Sequence, residues 1–173
     1  MMKLNRQVKG GEPLNLSEVK DWLRVDGDDD DALITNLITQ VRELVESYLG
    51  TSIALQDITL TTGNGGAGIT LPYQPIVSIT SVQDDDGNDV SYDWNGYMLS
   101  FNDMIISVTA GSTPDHFTVV YEAGYATIPA GLKLGLLEVI ALSYEQRGDS
   151  SKIGYLIYQN ANLQPYRAKI WFT

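Results

Sequence analysis

The sequence has 173 residues, 43% of them hydrophobic, no cysteine and a net charge of −11. Length and apolar content predict one domain with a sizeable core, and the absence of cysteine excludes disulfides, thiolate nucleophiles and cysteine-ligated zinc. No apolar run approaches the ~18 residues of a membrane span and the first residues lack a signal-peptide core, so we expect the cytoplasm or a particle assembled there.

The N-terminal third predicts an arm and two helices. Residues 1–13 are polar and broken by glycine and proline, which is typical of a frayed terminus. Asn15 can cap a first helix, with Glu18 at the position that a capping box requires. Four carboxylates at 28–31 suit the N-terminus of a second helix, whose apolar residues keep the i, i+3, i+4 spacing up to a C-capping Gly50.

After Gly50 the apolar period changes from 3.6 to 2, which predicts strands. Asp84–Asn88 contains the Asp-Gly pair of a tight hairpin turn. Six or seven short strands indicate an antiparallel β-sandwich or barrel-like region over about residues 52–127. The predicted strands are Ile53–Leu60, Ile69–Leu71, Ile76–Val82, Val90–Trp94, Tyr97–Phe101, Met104–Val108 and Phe117–Glu122.

A third helix is predicted over about 130–147, with Pro129 in its first turn. Its residues are apolar nearly all round, which indicates burial on more than one side and a contact with another subunit. We therefore expect subunit-contact residues at Leu136, Val139, Ile140 and Tyr144. Residues 148–151 predict a flexible break. The aromatic and basic tail beyond it either folds back on the core or docks on a partner.

Together these elements predict an α+β fold in a single domain over 1–173. A small helical core, made of three main helices plus the C-terminal segment, is expected from 14–51 and 128–173. The antiparallel β region is inserted between these two parts.

Several motifs resemble functional sites, and their context argues against each. Gly63–Gly68 matches G-x-G-x-x-G, but a strand rather than a helix follows, so a loop is favoured over dinucleotide binding. The acidic clusters at 26–30 and 84–88 lack the glycine and the final acid of a calcium loop. His116 is the only histidine, so one chain cannot form a histidine triad or a two-histidine metal site. We predict no catalytic residue, no cofactor and no metal.

Charge is unevenly distributed along the chain. Between Arg42 and Lys133 there is no lysine or arginine, while acids recur. An acidic middle disfavours phosphate binding, because it cannot neutralise a nucleic-acid backbone. It predicts either a solvated, solubilising surface or a wall past which DNA slides without sticking.

Several segments, in order along nearly the whole chain, match the patterns of one known family. They are Leu16–Asp26, Asp30–Ile34, Val41–Gly50, Leu71–Ile79, Val119–Tyr125, Ser143–Arg147 and Pro165–Arg167. Together they resemble the head–tail connector (adaptor) proteins of long-tailed bacteriophages and prophages. Leu71–Ile79 is similar to that family's LP…P(I/V)xSI strand entry, and Val119–Tyr125 to its V-x-Y-x-A-G-Y strand.

The resemblance implies a structural, non-enzymatic virion protein that forms a ring, typically a 12-mer, beneath the portal protein. It also implies a partner on the tail side, a neck, stopper or tail-completion protein, and a channel through which DNA passes without specific binding. The location implied is the head–tail junction, after assembly in the host cytoplasm. The C-terminal segment would reach the portal, and its docking residues would be Tyr166, Arg167, Lys169, Trp171 and Phe172. A deletion after Arg147 should then abolish portal association and leave the helical core folded.

One alternative stays open at this point. Tyr92, Trp94 and Tyr97 could form an aromatic platform in the β region, as in a small carbohydrate-binding or hydrolytic phage module. A DNA-handling packaging factor is a third option, which the charge distribution disfavours.

Overall fold

The computed structural model describes residues 2–63, 68–96, 98–100, 116–146 and 150–168. The chain divides into two compact units. We call Met1–Lys9 with Leu55–Gly124 the β unit, and Gly10–Ala54 with Tyr125–Thr173 the helical unit. The single domain expected over 1–173 stays a prediction.

The first two helices of the helical unit begin and end where the sequence predicts. Helix α1 spans Leu16–Leu23, and its capping Asn15 accepts a hydrogen bond from the backbone N–H of Glu18 at 2.9 Å. Helix α2 spans Asp31–Leu49 and ends at Gly50, which has a φ of +65°. Glycine adopts this left-handed conformation without the steric penalty that a Cβ would bring.

Two further α-helices belong to the described part of this unit, and a short 3₁₀ helix follows them at Gln164–Tyr166. Helix α3 spans Ala130–Glu145, with Pro129 as its N-cap, and confirms most of the predicted third helix. Helix α4 spans Ser150–Gln159, so the predicted break was wrong at residues 150 and 151, which lie in this helix. Ile153, Leu156 and Ile157 keep the i, i+3, i+4 spacing and pack on the helical core, which is the first of the two alternatives for the tail. The fully buried side chains of that core include Val19, Ile34, Val45, Leu49, Leu132, Leu136, Ile140, Ile157 and Leu163.

The described strands of the β unit form two antiparallel sheets. The larger sheet has the order β1-β2-β7-β4 and the smaller one the order β3-β6-β5. The strands are β1 Lys3–Val8, β2 Gln56–Gly63, β3 Gly68–Thr70, β4 Ile76–Gln83, β5 Asp93–Trp94, β6 Met98–Ser100 and β7 His116–Ala123.

Side chains from both sheets pack in one core. Along β7 every second residue is buried, and Tyr121 is the largest fully buried side chain among the described residues. Ile69 of β3 and Leu99 of β6 join residues of the larger sheet in this core. Two antiparallel sheets around one core make the sandwich-like region that the period-2 pattern predicted, and the α+β fold is confirmed.

The N-terminal arm was predicted wrongly. Lys3–Val8 pairs with β2 over its whole length, and the backbone N–H of Lys9 donates to Leu55 O at 2.8 Å. The side chains of β1 alternate between exposed and half-buried, as those of an edge strand do. The alternating residues Leu4, Arg6 and Val8 carried this signal within a polar segment.

The other strand boundaries differ more modestly. The predicted strand from Ile53 begins only at Gln56, because the N–H groups of Ile53 and Ala54 donate to the Glu46 carboxylate instead. The Asp84–Asn88 turn is confirmed, with a φ of +82° at Gly87. The predicted strand Met104–Val108 lies outside the described residues.

Candidate interaction surfaces

The acidic run before α2 holds the α1–α2 connection. Lys20 Nζ donates to Asp31 Oδ1 at 2.5 Å and to Gly27 O at 2.6 Å. The hydrogen bond to Asp31 raises the pKa of Lys20 above its usual value. Asp30 Oδ2 accepts from the Tyr144 hydroxyl at 2.5 Å, which joins the start of α2 to the end of α3. These acids therefore act within the fold.

A buried charge network, which the sequence-based predictions do not include, lies along α2. Arg42 makes a bidentate pair with Glu12, at 2.7 Å from Nε to Oε2 and 3.1 Å from Nη2 to Oε1. Its Nη1 donates to Glu46 Oε2 at 3.0 Å. Burial, the largest single influence, opposes the positive charge of Arg42, but Glu12 and Glu46 outweigh it and the pKa of Arg42 is raised. The i, i+4 spacing of Arg42 and Glu46 inside an apolar stripe was the available signal.

The C-terminal segment is anchored to the helical unit up to Ala168. Tyr166 packs edge-to-face on Tyr125, with ring centroids 6.4 Å apart, and its carbonyl accepts from Thr51 Oγ1 at 2.6 Å. The Arg167 guanidinium carbon lies 5.4 Å from the Tyr48 ring centroid. The backbone N–H of Ala168 donates to Leu49 O at 2.8 Å. Of the five residues expected to dock on a portal, Lys169, Trp171 and Phe172 lie outside the described residues.

The residues expected to form a subunit contact divide into two groups. Leu136, Val139 and Ile140 are at most 1% exposed within the chain itself, and Tyr144 is half-buried. Their role in a subunit contact stays a prediction. The face of α3 with more exposure comprises Leu134, Glu138, Ala141, Leu142 and Glu145.

Part of this α3 face lines an open concavity of about 560 Å³, which we call the groove. Its apolar surface includes Trp22, which is 45% exposed. Asn160 Nδ2 donates to Glu138 Oε2 at 2.8 Å at the edge of the groove. The complete lining is Trp22, Glu138, Ala141, Leu142, Glu145, Leu156, Asn160, Ala161 and Asn162.

A second surface of the helical unit is aromatic and cationic. Tyr155 and Tyr158 on α4 are 64% and 59% exposed. The Tyr158 ring packs edge-to-face on the Tyr48 ring, with centroids 6.4 Å apart. The Arg167 guanidinium lies over the same Tyr48 ring. We call these four residues the aromatic patch. Exposed tyrosine and arginine are the residue types that dominate binding at protein interfaces.

The β unit does not present the aromatic platform of the alternative function in its described part. Tyr92 and Trp94 are half-buried and pack against the β core, while Tyr97 lies outside the described residues. A stacking platform for sugars needs aromatic faces open to solvent. Most of the surface of Tyr92 and Trp94 is instead covered by the β core.

The remaining polar residues of the β unit serve its turns. His116 is 47% exposed at the start of β7, with Nδ1 at 3.7 Å from Asp85 Oδ1. Backbone N–H groups of Asn88 and Asp86 hold the Asp84 carboxylate and lower its pKa. Gly68 opens strand β3, so the glycine-rich motif does not lead into a helix. Within the described residues, no three acidic, cysteine or histidine side chains cluster as metal ligands would.

Among the helices that the structure describes, none is long and apolar enough to cross a membrane. The fold matches solved structures of the gene transfer agent (GTA) particle. A chain in the neck of an empty GTA particle, computed with C6 symmetry, superposes with a TM-score of 0.69 at 15% identity over 97% of each chain.

Two further structures show the same fold. A chain in the neck of a native GTA particle, computed with C12 symmetry, gives a TM-score of 0.68 at 15% identity over 97% of each chain. A chain in the virion of the native GTA particle gives 0.67 at 17% identity, over 91% of this chain and 94% of that one. The search of curated proteins finds no match.

The family model described as "Head completion protein" matches residues 13–153 of this chain. This match spans most of the sequence and both units. The chain belongs to the head completion protein family, and its resemblance to phage head–tail connector proteins is confirmed at this level.

Proposed function

We propose that the chain is a structural connector at the head–tail junction of a phage or prophage particle. It forms a ring beneath the portal, receives a neck, stopper or tail-completion protein on the tail side, and catalyses no reaction. The single observation that carries this proposal is the match of the head completion protein family to residues 13–153. The GTA neck structures support it, because they are solved with C6 and C12 symmetry and share this fold.

The portal is proposed to bind the C-terminal segment. Tyr166 and Arg167 fasten the segment to the helical unit, and Lys169, Trp171 and Phe172 follow directly in the sequence. Tryptophan is one of the residue types that dominate binding at protein interfaces, and Trp171 belongs to this group. In this arrangement Tyr166 and Arg167 hold the start of the segment on the helical unit. Lys169, Trp171 and Phe172 contact the portal.

Neighbouring subunits are proposed to meet along α3. Leu136, Val139 and Ile140 hold the buried side of this helix in the core, and Tyr144 and the more exposed α3 face offer surface to a neighbour. The bond from Tyr144 to Asp30 keeps the end of α3 against the start of α2. A repeated head-to-tail contact of this kind produces a closed ring when the rotation between copies closes.

DNA is proposed to pass through the ring without specific binding. The stretch from 43 to 132 contains no lysine or arginine, so it offers no cation to the phosphate backbone. Binding of DNA releases counterions only where cations replace them. Negligible affinity for duplex DNA at low salt is therefore the expected result in a titration.

Labelled particles test the proposed location. The chain is expressed with a short C-terminal or internal epitope during particle assembly, and an antibody is imaged on purified particles by electron microscopy. We expect label at the head–tail junction alone. Label on the tail tip or the capsid faces, or its absence from mature particles, would contradict the proposal.

A further inference from the structure

We propose that the aromatic patch of one copy docks in the groove of the next copy. This inference rests on the proposed function, because it names the surfaces that close the ring. It commits to a second copy of this chain as the occupant of the groove. Both surfaces belong to the helical unit and are built mainly on α3 and α4.

The first argument is shape. The groove is open, measures about 560 Å³ and has an apolar floor that includes Trp22, Leu142 and Leu156. A tyrosine side chain buries on the order of 150–250 Å² when enclosed, so docking one or two of them on this apolar floor would remove a substantial area from water. Tyr155 and Tyr158 are the exposed tyrosines of α4 that fit this description.

The second argument is charge. Glu138 and Glu145 line the groove, and none of its described lining residues is lysine or arginine. The aromatic patch carries Arg167 over the ring of Tyr48. An acidic groove and a cationic patch attract each other and set the orientation of docking.

The third argument is that helix α4 contributes side chains to both surfaces. Leu156 faces the groove, while Tyr155 and Tyr158 are exposed elsewhere on α4. At 3.6 residues per turn, Leu156 lies roughly 130° around the helix axis from the midpoint of the two tyrosines. One copy can therefore offer its patch to a neighbour on one side and its groove to a neighbour on the other. This is the heterologous contact from which rings are built.

Cysteine cross-linking tests the contact directly, because the natural chain contains no cysteine. Tyr155→Cys marks the patch, and Ala161→Cys marks the exposed rim of the groove. The two single variants, one carrying a mass tag, are mixed in equal amounts, assembled on the portal protein and oxidised. We expect a disulfide-linked heterodimer of the two variants. A matched pair with Ser78→Cys, exposed on β4, in place of Tyr155→Cys should give none.

A charge exchange provides a second, independent readout. Glu145→Lys and Arg167→Glu should each lower ring assembly on the portal on the order of tenfold, which corresponds to ~1.4 kcal/mol per contact. The double variant restores an opposite-charge pair, so assembly should recover. Failure of the double variant to recover would overturn the proposal.

The outcomes separate this inference from the proposed function. Rings that assemble on the portal without the Tyr155→Cys to Ala161→Cys cross-link overturn the inference and leave the connector function standing. The same holds if the Ser78→Cys control cross-links equally well. Absence of any ring on the portal overturns both proposals.

Discussion

Arg42 and Glu46, one turn apart on α2, form an ion pair at 3.0 Å in which Glu46 is fully buried and Arg42 is only 4% exposed. The second Glu46 oxygen accepts the N–H groups of Ile53 and Ala54 at 2.8 and 3.1 Å. Glu12 completes the network from the other side of Arg42. Through these bonds, Arg42 and Glu46 hold Glu12 and the residues just after α2 against the same helix.

Replacing Arg42 by methionine should destabilise the protein strongly. Methionine fills similar volume but leaves Glu46 buried without its counter-charge, for which we expect a loss of about 3–5 kcal/mol in unfolding free energy. Urea denaturation followed by circular dichroism measures this loss. The control Glu43→Gln removes an exposed carboxylate 3.5 Å from Arg42 and should change stability by less than about 0.5 kcal/mol. A change below about 1 kcal/mol for Arg42→Met would show that the network is dispensable.

Two glycine substitutions should have opposite effects. A Cβ at Gly135 would lie 2.7 Å from Leu163 Cγ, and Leu163 is fully buried. Gly135→Ala should therefore destabilise by about 1–3 kcal/mol through overpacking. A Cβ at Gly154 in α4 would meet open space within 4 Å, so Gly154→Ala should stabilise the helix by up to ~1 kcal/mol. Thermal unfolding of both variants measures these two changes in stability. Equal shifts of the unfolding midpoint would contradict the packing of Leu163 on α3.

The Asp84 turn should contribute stability that depends on pH. Hydrogen bonds from Asn88 and Asp86 lower the pKa of Asp84 in the folded state. Its contribution is therefore present above the unfolded value of about 3.9 and is lost as pH falls through the lower folded value. Asp84→Ala should be less stable than the natural chain at pH 7, and this difference should shrink below pH 4. Asp86→Ala, which keeps the donating backbone N–H, serves as the control. A pH-independent difference would contradict the assignment.

The C-terminal five residues should be separable from the fold. Deleting 169–173 leaves every anchoring contact of Tyr166 to Ala168 in place, so the thermal midpoint should stay unchanged while portal binding is lost. Co-purification with tagged portal protein and calorimetry measure the two effects. Retained portal binding would move the docking site elsewhere.

The longer deletion that the sequence suggested, after Arg147, is not a clean test. It removes Ile157 and Leu163, which are at most 1% exposed in the helical core. Loss of such side chains costs about 2–5 kcal/mol each. We expect this truncation to unfold the helical unit, contrary to the expectation from sequence that the core survives.

Local signals in the sequence predicted some elements well. Four of these signals act within a few residues: the Asn15 cap, the acids before α2, Gly50 and the Asp-Gly turn. The helix end or turn that each one forms can therefore be predicted from its neighbours in sequence. These features, with the change of apolar period after Gly50, were sufficient to predict the α+β class and the frame of the helical unit.

Distant partners decided what the sequence could not predict. Strand β1 forms because β2, about fifty residues later, offers it an edge. Helix α3 is apolar on most sides, and its packing in a core that includes Ile34, Ile157 and Leu163 determines which side stays more exposed. The groove and the aromatic patch combine residues from several elements, and no single stretch contains either of them.

Native mass spectrometry of the chain with and without its portal protein tests the central claim most directly. We expect the chain alone to be mainly monomeric, because ordering of the terminal segment on the portal helps to stabilise the ring. With the portal present, the spectrum should show one complex that contains a complete ring of this chain. The resemblance to head–tail connector proteins implies twelve copies. A chain that stays monomeric and unbound at all portal concentrations would contradict the assignment of this protein as a connector.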